Sequence, residues 1–542
     1  MKLSGKNIIG TEVLRSEESF VATSPLDGTV LDGRFEMAGV ADVDTAIRLA
    51  LVAFESFGKS SGTSRADFLE RIAAEIELLG DDLLQRAHLE TGLPLARLTG
   101  ERGRTVTQLR MFAALAREGS WVDARIDVAL PLRQPLPRCD LRRMLVPLGP
   151  VIVFGSSNFP LAFSVAGGDT ASALATGNPV LVKAHRGHPG TSELVALAVR
   201  RAVAACGMHE GVFSMLHGAG NVIGQAMVVH PGSRAVGFTG SRTAGRALYD
   251  AACSRPEPIP VFAEMSSLNP VFLLSGALSL RATAIAEGLK TSMTLGVGQF
   301  CTKPGIVFAV ESPEFIRFRE ILADLVVKTP AATMLHSDIH QSYCDSLKRV
   351  ASVKEALLLA SGQSQTNPAA NQAVVEVRAT DMKTFLSSKH LHDEVFGPFC
   401  LLVSVATHED LSHIARTLEG QLTASVHGTE NDLVEAGGLL DVLIHRAGRV
   451  IVNGFPTGVE VCHAMQHGGP YPATTDSRFT SVGGAALARF VRPVCYQDVP
   501  SAQLPEALLD NNPQGIMRSL DGVLSRDVVK THGSSQSDQR DQ

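Results

Sequence analysis

The sequence predicts an α/β protein with a doubly wound parallel sheet, a second α/β region and a small β arm. Three observations support this prediction. Short apolar strands alternate with helices from Val151 onward, a second α/β pattern runs from about Ser266 to Pro470, and proline-broken or strand-like segments adjoin both regions. Repeated β–α units of this length place parallel strands in one sheet with helices on both faces.

Length and composition set the outer limits. The chain has 542 residues, of which 45% are hydrophobic and 19% are charged. At roughly 150 residues per domain, this length suggests about three or four domain-sized units, and the apolar fraction excludes global disorder. The 49 basic and 55 acidic side chains give a net charge of −6. Because no basic excess is available to neutralise a phosphate backbone, the sequence predicts no nucleic-acid partner.

The sequence also predicts a reduced, cytoplasmic protein without a membrane span. Eight cysteines are too sparse for a disulfide scaffold, and Met1 to Gly10 lack the apolar core of a signal peptide. The stretch from Met144 to Gly168 is uncharged and long enough on paper to cross a bilayer. Its prolines, glycines and serines favour a buried strand that runs into a functional loop.

The N-terminal region predicts strand and turn segments followed by helices. Helical apolar spacing covers Asp42–Phe57 and Arg65–Leu79, and a third helical region ends near Trp121. Residues Ile126–Pro150 then alternate apolar and polar side chains and contain several prolines. That pattern is typical of an edge strand or an extended arm.

The central region predicts five strands with a helix after each of the first four. The strands are Val151–Phe154, Pro179–Lys183, Gly211–Leu216, Ala235–Phe238 and Ile259–Ala263. The helices are Phe163–Thr176, Ser192–Cys206, Val222–Val229 and Thr243–Cys253. Units of this kind form a dinucleotide-type domain, in which ligands bind outside the carboxyl ends of the strands.

Three polar side chains stand where chemistry could occur. Cys301 lies in a glycine-containing loop before a strand, where it is either a nucleophile or a buried small hydrophobe. Glu264 ends an apolar strand, where it is either a base with a raised pKa or a structural ion-pair partner. Asn158 follows a strand, where it is either an oxyanion donor or a turn residue.

A glycine turn and several histidines complete the candidate motifs. The turn Gly240–Gly245 follows a strand and opens a helix, so its backbone could approach a pyrophosphate, although it lacks the G-x-G-x-x-G pattern. No spacing supports a closed metal site, and the sequence predicts loop or surface histidines and no metal. This applies to Cys462, His463, His467, His390 and His392. The absence of G-x-S-x-G and Walker A patterns removes the common serine hydrolase and NTPase interpretations.

The order and spacing of these motifs resemble the aldehyde dehydrogenase superfamily over about residues 20 to 500. The motifs are Asn158, Lys183, Gly240–Gly245, Glu264, Cys301 and Glu394–Pro398. Within the superfamily, the sequence most resembles the α-ketoglutaric semialdehyde (2,5-dioxovalerate) dehydrogenase group. The telling stretches are Val182–His185, His188–Leu194, Ala263–Ser267, Gly298–Thr302 and His467–Asp476.

The resemblance implies roles for individual residues. Cys301 attacks the aldehyde, Asn158 and the Cys301 backbone N–H hold the oxyanion, and Glu264 activates the water that hydrolyses a thioester. The cofactor residues it implies are Lys183 on the adenosine ribose, Gly240, Ser241 and Gly245 at the pyrophosphate, and Glu394 with Phe396 at the nicotinamide ribose. It also implies a cofactor domain over 1–125 and 146–265, a catalytic domain over 266–470, an arm over 126–145 and 480–500, and a partly flexible C-terminal extension over 501–542.

The chain departs from the superfamily in places that bear on specificity. Ser157 stands where many members carry Trp, and Arg186 stands where many carry a ribose-binding Glu. Because Lys183, His185 and Arg186 can pair with a 2′-phosphate, we expect a preference for NADP, with use of both cofactors as the alternative. The sequence does not reveal what the charge of Lys303 does.

Substrate contacts are expected from the helix at residues 100–110. Arg104 and Gln108 share a face of that helix, and Arg104 is the expected anchor for a substrate carboxylate. The alternative is a surface ion pair between Arg104 and Glu101, which would contribute little. Phe163 and Phe455 are expected to supply apolar walls.

The predicted reaction is oxidation of α-ketoglutaric semialdehyde (2,5-dioxopentanoate) to 2-oxoglutarate with NADP, or with NAD. The alternatives are a fatty or other aliphatic aldehyde dehydrogenase, an acyl-transferring enzyme that uses coenzyme A, and a non-catalytic binding or structural member. The arm, Ile126–Leu145 with Arg489–Val499, would expose edge strands unless it extended a partner's sheet. The sequence therefore predicts a homodimer or homotetramer.

Overall fold

The computed structural model of the chain describes residues 3–10, 18–365, 367 and 369–529. Residues 530–542, the last part of the partly flexible extension expected over 501–542, lie outside the described residues.

The N-terminal part packs four helices beside a short hairpin. Its strands are β1 (Ile8–Ile9), β2 (Ser19–Thr23) and β3 (Val30–Glu36), and its helices are α1 (Val40–Phe57), α2 (Gly62–Leu78), α3 (Gly80–Thr91) and α4 (Leu95–Glu118). The Ser61 hydroxyl caps α2 by accepting from the Ser64 N–H. Helix α4 contains the 100–110 segment and packs mainly against α2 and the central region.

The central region forms the doubly wound sheet that the sequence predicts. Its elements are β4 (Arg125–Asp127), β5 (Leu141–Pro147), β6 (Val151–Phe154), α5 (Gly168–Ala175), β7 (Val180–Lys183), α6 (Pro189–Ala205), β8 (Phe213–Leu216), α7 (Ile223–Val229), β9 (Ala235–Thr239), α8 (Arg242–Cys253) and β10 (Val261–Glu264). The strand order in this sheet is β1-β8-β7-β6-β9-β10, with β1 antiparallel to β8 and the other neighbours parallel. Strands β4 and β5 belong instead to the arm sheet described below. The order reverses between β6 and β9, which creates the crevice where such sheets bind ligands.

The strands of this sheet match their predicted positions closely, whereas helix α5 starts later than expected. β6, β7 and β8 are buried at every position, as expected for parallel strands covered on both faces. The helix predicted from Phe163 begins only at Gly168. Residues 160–167 form turns that fold the loop after β6 back toward the sheet, where the Ser156 N–H donates to the Phe163 carbonyl over 2.8 Å.

The second α/β region forms a seven-stranded sheet in the order β14-β16-β17-β12-β11-β18-β19. Its strands and helices are β11 (Val271–Leu273), α9 (Ser275–Thr294), β12 (Ile306–Val310), α10 (Pro313–Val326), β13 (Ala332–Thr333), α11 (Ser337–Ala351), β14 (Leu357–Ser361), β15 (Gln372–Ala373), β16 (Glu376–Asp381), α12 (Met382–Ser387), β17 (Phe399–Val405), α13 (His408–Thr417), β18 (Gln421–His427), α14 (Glu430–Glu435), α15 (Gly437–Leu443) and β19 (Ala447–Val452). Strand β14 runs antiparallel to β16, and the other neighbours in this sheet pair in parallel. Strands β13 and β15 form a separate two-stranded antiparallel sheet.

The arm is a five-stranded sheet in the order β20-β5-β4-β21-β22. Its C-terminal strands are β20 (Val491–Gln497), β21 (Arg518–Leu520) and β22 (Val523–Ser525). Residues 501–529, which the sequence assigns to a partly flexible extension, are folded onto this sheet. Leu508 and Ile516 enter the apolar core of the arm, and the buried Arg518 guanidinium donates to the Leu509 and Asp527 carbonyls.

No helix in the described part of the chain is long and apolar enough to cross a membrane. The uncharged stretch from Met144 to Gly168 instead forms the end of β5, all of β6 and the loop that leads to α5. Pro150, Pro160, Gly149 and Gly155 lie in the connecting segments, as their turn propensity predicts, whereas Pro147 ends β5 and Gly168 begins α5.

A segment after the second sheet crosses back to the first and fixes the end of β10. The Met265 N–H donates to the Ala473 carbonyl over 2.7 Å, and the Thr475 N–H donates to the Ala263 carbonyl over 3.1 Å. Glu264 itself forms an isolated antiparallel bridge with Thr474. These bonds bring residues more than two hundred positions apart to one point between the sheets.

Candidate active site

The structure brings a thiol, an imidazole and a carboxylate together between the two large sheets. The Cys301 Sγ lies 3.4 Å from the His467 Nε2, and that nitrogen lies 2.9 Å from the Glu264 Oε1. The other carboxylate oxygen accepts a 2.6 Å hydrogen bond from the Ser481 hydroxyl. His467 is 1% exposed and Glu264 is 3% exposed, whereas Cys301 retains partial access to solvent.

The charges in this cluster favour a protonated thiol beside an ionised carboxylate. Burial, and then the Glu264 carboxylate, raise the pKa of the Cys301 thiol well above its ordinary value, while Arg104 acts in the opposite direction. Burial alone would raise the pKa of Glu264, but its interactions with His467, Ser481 and Cys301 together lower it. The thiol therefore keeps its proton in this state, and the ionised Glu264 beside it is free to act as a base.

His467 lies in a loop, as the sequence predicts, but it is buried rather than at the surface. It is buried because its backbone is bonded to the segment after it: its N–H donates to the Thr480 hydroxyl over 2.8 Å and its carbonyl accepts from the Ser481 N–H over 2.8 Å. Short-range spacing could not reveal the partner of its ring, since His467 and Cys301 are 166 positions apart.

Several buried contacts fix the loop that carries Cys301. The Asn269 amide donates to the Cys301 carbonyl over 2.8 Å and to the Lys303 carbonyl over 3.0 Å. Gly298 has a φ of +66°, and a Cβ there would lie 2.3 Å from the Gly397 carbonyl oxygen, so only glycine allows this close approach.

Lys303 joins the cysteine loop to the segment 394–398. Its ammonium is buried, at 1% exposure, and donates to the carbonyls of Val395 and Phe399 over 3.0 Å each. Burial lowers the pKa of this lysine, and Glu394 acts in the opposite direction. Lys303, which the sequence could not place, therefore connects the reactive loop to a predicted cofactor segment.

Asn158 reaches the same loop from the carboxyl end of β6. Its side-chain amide donates to the Gln299 carbonyl over 3.0 Å, which places the amide two residues from Cys301 along the chain. Its own carbonyl accepts a 2.7 Å hydrogen bond from Arg97. The Arg97 guanidinium lies 4.9 Å from the centre of the Phe159 ring and 4.7 Å from that of Phe300, next to Asn158 and Cys301 respectively.

Glu101 helps to hold the loop after β6 and does not form the surface ion pair with Arg104 that the sequence leaves open. It is 4% exposed, accepts hydrogen bonds from the Leu161 and Ala162 N–H groups, and lies 3.8 Å from Arg97. Sequence reasoning missed Arg97, since only the fold brings α4 against the loop after β6.

Arg104 lies near the thiol with unused donors. Its Nη1 donates to the Val459 carbonyl over 2.5 Å, whereas Nε and Nη2 are buried without a partner among the described residues. Its guanidinium lies 5.5 Å from the centre of the Phe163 ring, and that ring lies 6.4 Å from His467. Arg104 and Phe163 are therefore brought to the cluster.

Gln108 and Phe455 contact other parts of the chain. A Cβ on Gly168 would lie 2.5 Å from the Gln108 amide nitrogen, which places that amide against the start of α5. The Phe455 ring packs against His427, with 4.7 Å between ring centres, and also lies over Gly288 of α9. The predicted substrate contacts of these two residues stay predictions.

The carboxyl ends of the first sheet form a crevice with basic groups on one side. Lys183 ends β7, and burial followed by the charge of Arg186 lowers its pKa to about 8. Arg186 is exposed and stacks 5.5 Å from the centre of the Phe20 ring. Burial, followed by His188, His336 and the two nearby cations, lowers the pKa of His185 well below its ordinary value. At neutral pH the positive charge here therefore comes from Lys183 and Arg186, and His185 is neutral.

Three further predicted cofactor residues, Gly240, Ser241 and Gly245, lie in the turn after β9 and in the first turns of α8. The Ser241 hydroxyl caps α8 by accepting from the Ala244 N–H, so the start of this helix faces the ends of the strands. A Cβ on Gly245 would lie 2.7 Å from Met265, and one on Gly240 would lie 2.6 Å from the Phe238 ring.

Glu394 and the half-buried Phe396 lie on the opposite side, in the segment that Lys303 holds. Burial raises the pKa of Glu394 to about 7, and Lys303 and the hydrogen bonds from Ser266 and Ser267 act in the opposite direction.

Comparison with known proteins gives one consistent result. The sequence profile of the aldehyde dehydrogenase family matches residues 13–484. The chain is 52% identical over 525 residues to α-ketoglutaric semialdehyde dehydrogenase 2 of Azospirillum brasilense, covering 96% of this chain and 99% of that protein. It is 45% identical over 525 residues to the α-ketoglutaric semialdehyde dehydrogenase of Acinetobacter baylyi, with the same two coverages of 96% and 99%.

Solved structures resemble the fold. The crystal structure of betaine aldehyde dehydrogenase from Staphylococcus aureus, in complex with NAD+, superposes with a TM-score of 0.79. The match covers 91% of this chain and 95% of that chain at 20% identity, and at that identity the likeness concerns the fold alone.

Proposed function

The chain belongs to the aldehyde dehydrogenase family, and from this premise we propose that its substrate is α-ketoglutaric semialdehyde (2,5-dioxopentanoate), which it oxidises to 2-oxoglutarate. Membership means a nicotinamide dinucleotide cofactor and oxidation of an aldehyde to an acid. The observation that carries the assignment to this chain's residues is the buried Cys301–His467–Glu264 cluster with Arg104 beside it.

Carbon–sulfur bond formation is the first step. Cys301 Sγ attacks the aldehyde carbon as the thiolate, and the thiol proton goes to solvent from the partly exposed side of Cys301, which leaves Glu264 unprotonated for the later step. The new oxyanion is held by the Asn158 amide and the Cys301 backbone N–H. Losing one such donor typically costs on the order of 100- to 1,000-fold in rate.

Oxidation and hydrolysis complete the turnover. Lys183, the Gly240–Gly245 turn and Glu394 would hold a nicotinamide dinucleotide, which would supply the hydride acceptor for this oxidation, and Cys301 would then carry the acyl group as a thioester. Glu264 then removes a proton from water, the hydroxyl adds to the thioester carbon, and the carbon–sulfur bond breaks. The acid leaves, and the thiol recovers its proton.

Arg104 supplies the cation that a keto-acid semialdehyde requires at its far end. Two of its nitrogens are buried without a partner in the described part of the chain, and an unpartnered buried charged group is costly unless a ligand completes it. A carboxylate is the natural partner of a guanidinium with two free donors. A fatty aldehyde has no carboxylate to accept hydrogen bonds from these donors. A non-catalytic protein would have no use for the reactive cluster.

Replacing Arg104 with alanine tests this substrate assignment. We expect Arg104→Ala to raise the KM for 2,5-dioxopentanoate by at least about 10-fold, which is the effect of about 1.4 kcal/mol. The KM for pentanal, which lacks the carboxylate, should change much less. Steady-state kinetics with both aldehydes measure the difference.

Arg110→Ala is the matched control, because Arg110 lies on the same helix but pairs at the surface with Glu77 over 2.7 Å. It should leave both KM values unchanged. If Arg104→Ala affected both aldehydes equally, or neither, the anchor would lie elsewhere and the keto-acid assignment would weaken.

NADP is the proposed preferred cofactor, and the charge beside the adenosine ribose supports this preference. Lys183 and the exposed Arg186 supply that charge, while His185 contributes only a neutral ring. We expect Arg186→Glu to lower the ratio of kcat/KM for NADP to that for NAD by about 10-fold or more, because a carboxylate repels the 2′-phosphate.

Arg200→Glu makes the same charge change at an exposed position of α6 and serves as the control. The ratio should not move in that variant. An unaltered preference in Arg186→Glu, or equal efficiency with both cofactors in the unmodified enzyme, would contradict the charge argument.

The arm supports assembly as a homodimer or homotetramer. Strand β20 pairs along its length with β5 on one side and stands at the edge of the arm sheet on the other. Unpaired edges invite pairing with a second chain. Sedimentation at micromolar concentration should therefore give a dimer or tetramer, and a monomer would contradict the proposal.

The cytoplasm is the proposed location. All eight cysteines are free thiols, which supports a reducing compartment.

A further inference from the structure

We propose that Cys301, His467 and Glu264 form an inhibitory site for a thiophilic divalent cation such as Zn²⁺. One ligand atom from each residue, the sulfur, a ring nitrogen and a carboxylate oxygen, lies within 4.8 Å of the other two. Three protein ligands of these types with an open fourth position are the usual arrangement of an accessible zinc site. The sequence predicts no metal site, since the three residues are far apart along the chain.

The spacing of the three atoms requires little rearrangement. Zinc bond lengths of about 2.0–2.3 Å in tetrahedral geometry place ligand atoms roughly 3.3–3.6 Å apart. The distance between Cys301 Sγ and His467 Nε2 is 3.4 Å, and that between Nε2 and Glu264 Oε1 is 2.9 Å. The cation would enter from the partly exposed side of Cys301.

The surroundings hold these ligands in place. The Ser481 hydroxyl donates to Glu264 Oε2 over 2.6 Å, and Oε1 and His467 Nε2, which are 2.9 Å apart, exchange their mutual hydrogen bond for the cation when it binds. The Asn269 amide fixes the Cys301 backbone through its carbonyl, over 2.8 Å. Hydrogen bonds that orient ligands from outside the metal's own coordination shell strengthen metal binding.

Charge balance favours a divalent ion. On binding, the Cys301 S–H bond breaks, its proton goes to solvent, and the thiolate coordinates the cation. The Glu264 carboxylate supplies the second negative charge, so the bound set is neutral and no oxidant or reductant is involved. His467 coordinates through Nε2 as the tautomer that carries its proton on Nδ1. Mg²⁺ prefers oxygen ligands and octahedral geometry, so the same set should reject it.

A bound cation would occupy the sulfur that attacks the aldehyde. The expected consequence is reversible inhibition that a chelator relieves. The metal site itself does not depend on the proposed substrate, since binding can be measured without turnover.

Titration of the apo-enzyme with Zn²⁺ in competition with a chromophoric zinc chelator tests the proposal. We expect one tightly bound Zn²⁺ per chain, loss of turnover over the same concentration range, full recovery with EDTA, and no effect of Mg²⁺. Cys301→Ser and His467→Asn should each weaken Zn²⁺ binding by at least about 100-fold, because each removes one of three ligands. The double variant Cys462→Ser/His463→Asn, which removes a neighbouring thiol and imidazole, should bind Zn²⁺ normally.

A second measurement keeps the proposal testable if a variant folds poorly. In the unmodified enzyme, one equivalent of Zn²⁺ should protect the Cys301 peptide from iodoacetamide, as followed by mass spectrometry. Undiminished Zn²⁺ binding by folded Cys301→Ser, or alkylation of Cys301 at the same rate with Zn²⁺ bound, would overturn the site.

Discussion

Replacing Cys301 with alanine should lower dehydrogenase turnover by on the order of 10⁴-fold or more while leaving dinucleotide binding nearly intact. The reason is chemical, because the proposed reaction has no route to a thioester without the sulfur. The residues proposed to bind the cofactor are other side chains, so truncating the Cys301 side chain should leave them undisturbed. Reduced-cofactor absorbance measures the turnover, and fluorescence titration measures binding.

Cys462→Ala is the control for this prediction. Cys462 is another half-buried free thiol in the second half of the chain, and its removal should leave turnover within about twofold. Substantial turnover in folded Cys301→Ala would show that the nucleophile assignment is wrong.

Replacing Glu264 with glutamine should separate the two halves of the reaction. Acylation should continue, and deacylation should become slow, so that a burst of about one equivalent of reduced cofactor per site precedes a very low steady rate. Stopped-flow absorbance resolves the two phases. A variant that lost the burst together with the steady rate would show that Glu264 is needed for acylation, contrary to the role proposed here.

The same variant should shift the titration of the thiol. In the unmodified enzyme the Glu264 carboxylate raises the pKa of Cys301, so removing that negative charge should lower it. The rate of iodoacetamide alkylation, measured against pH, should therefore rise at lower pH in Glu264→Gln. Glu460→Gln removes an exposed carboxyl from a neighbouring loop and should leave the alkylation profile in place.

Local patterns predicted most of the first sheet. The strand Val151–Phe154 has the predicted bounds, and the other four strands lie within two residues of theirs, because each is a short apolar run bounded by turn residues. The start of α5 was harder, because residues 160–167 have helical composition but form turns against the sheet. The ordered extension at 501–529 was also hard to predict, since a few scattered apolar side chains and the buried Arg518 fix it.

Sequence motifs predicted the reacting residues of the site, but they did not predict the residues that support them. Cys301, Glu264 and Asn158 stand at loop and strand ends that the sequence marks. His467, Arg97 and Lys303 act through contacts that only the fold creates. The neutral state of His185 was equally hidden, because it depends on burial and on the cations packed around it.

The most direct test of the account is to trap the acyl-enzyme. Glu264→Gln, mixed with NADP+ and 2,5-dioxopentanoate and quenched in acid during the burst, should carry one 2-oxoglutaryl thioester. Peptide mapping by mass spectrometry should place it on Cys301, and the Cys301→Ala/Glu264→Gln double variant should carry none. A burst of reduced cofactor without an adduct on Cys301, or with the adduct on another cysteine, would contradict the account.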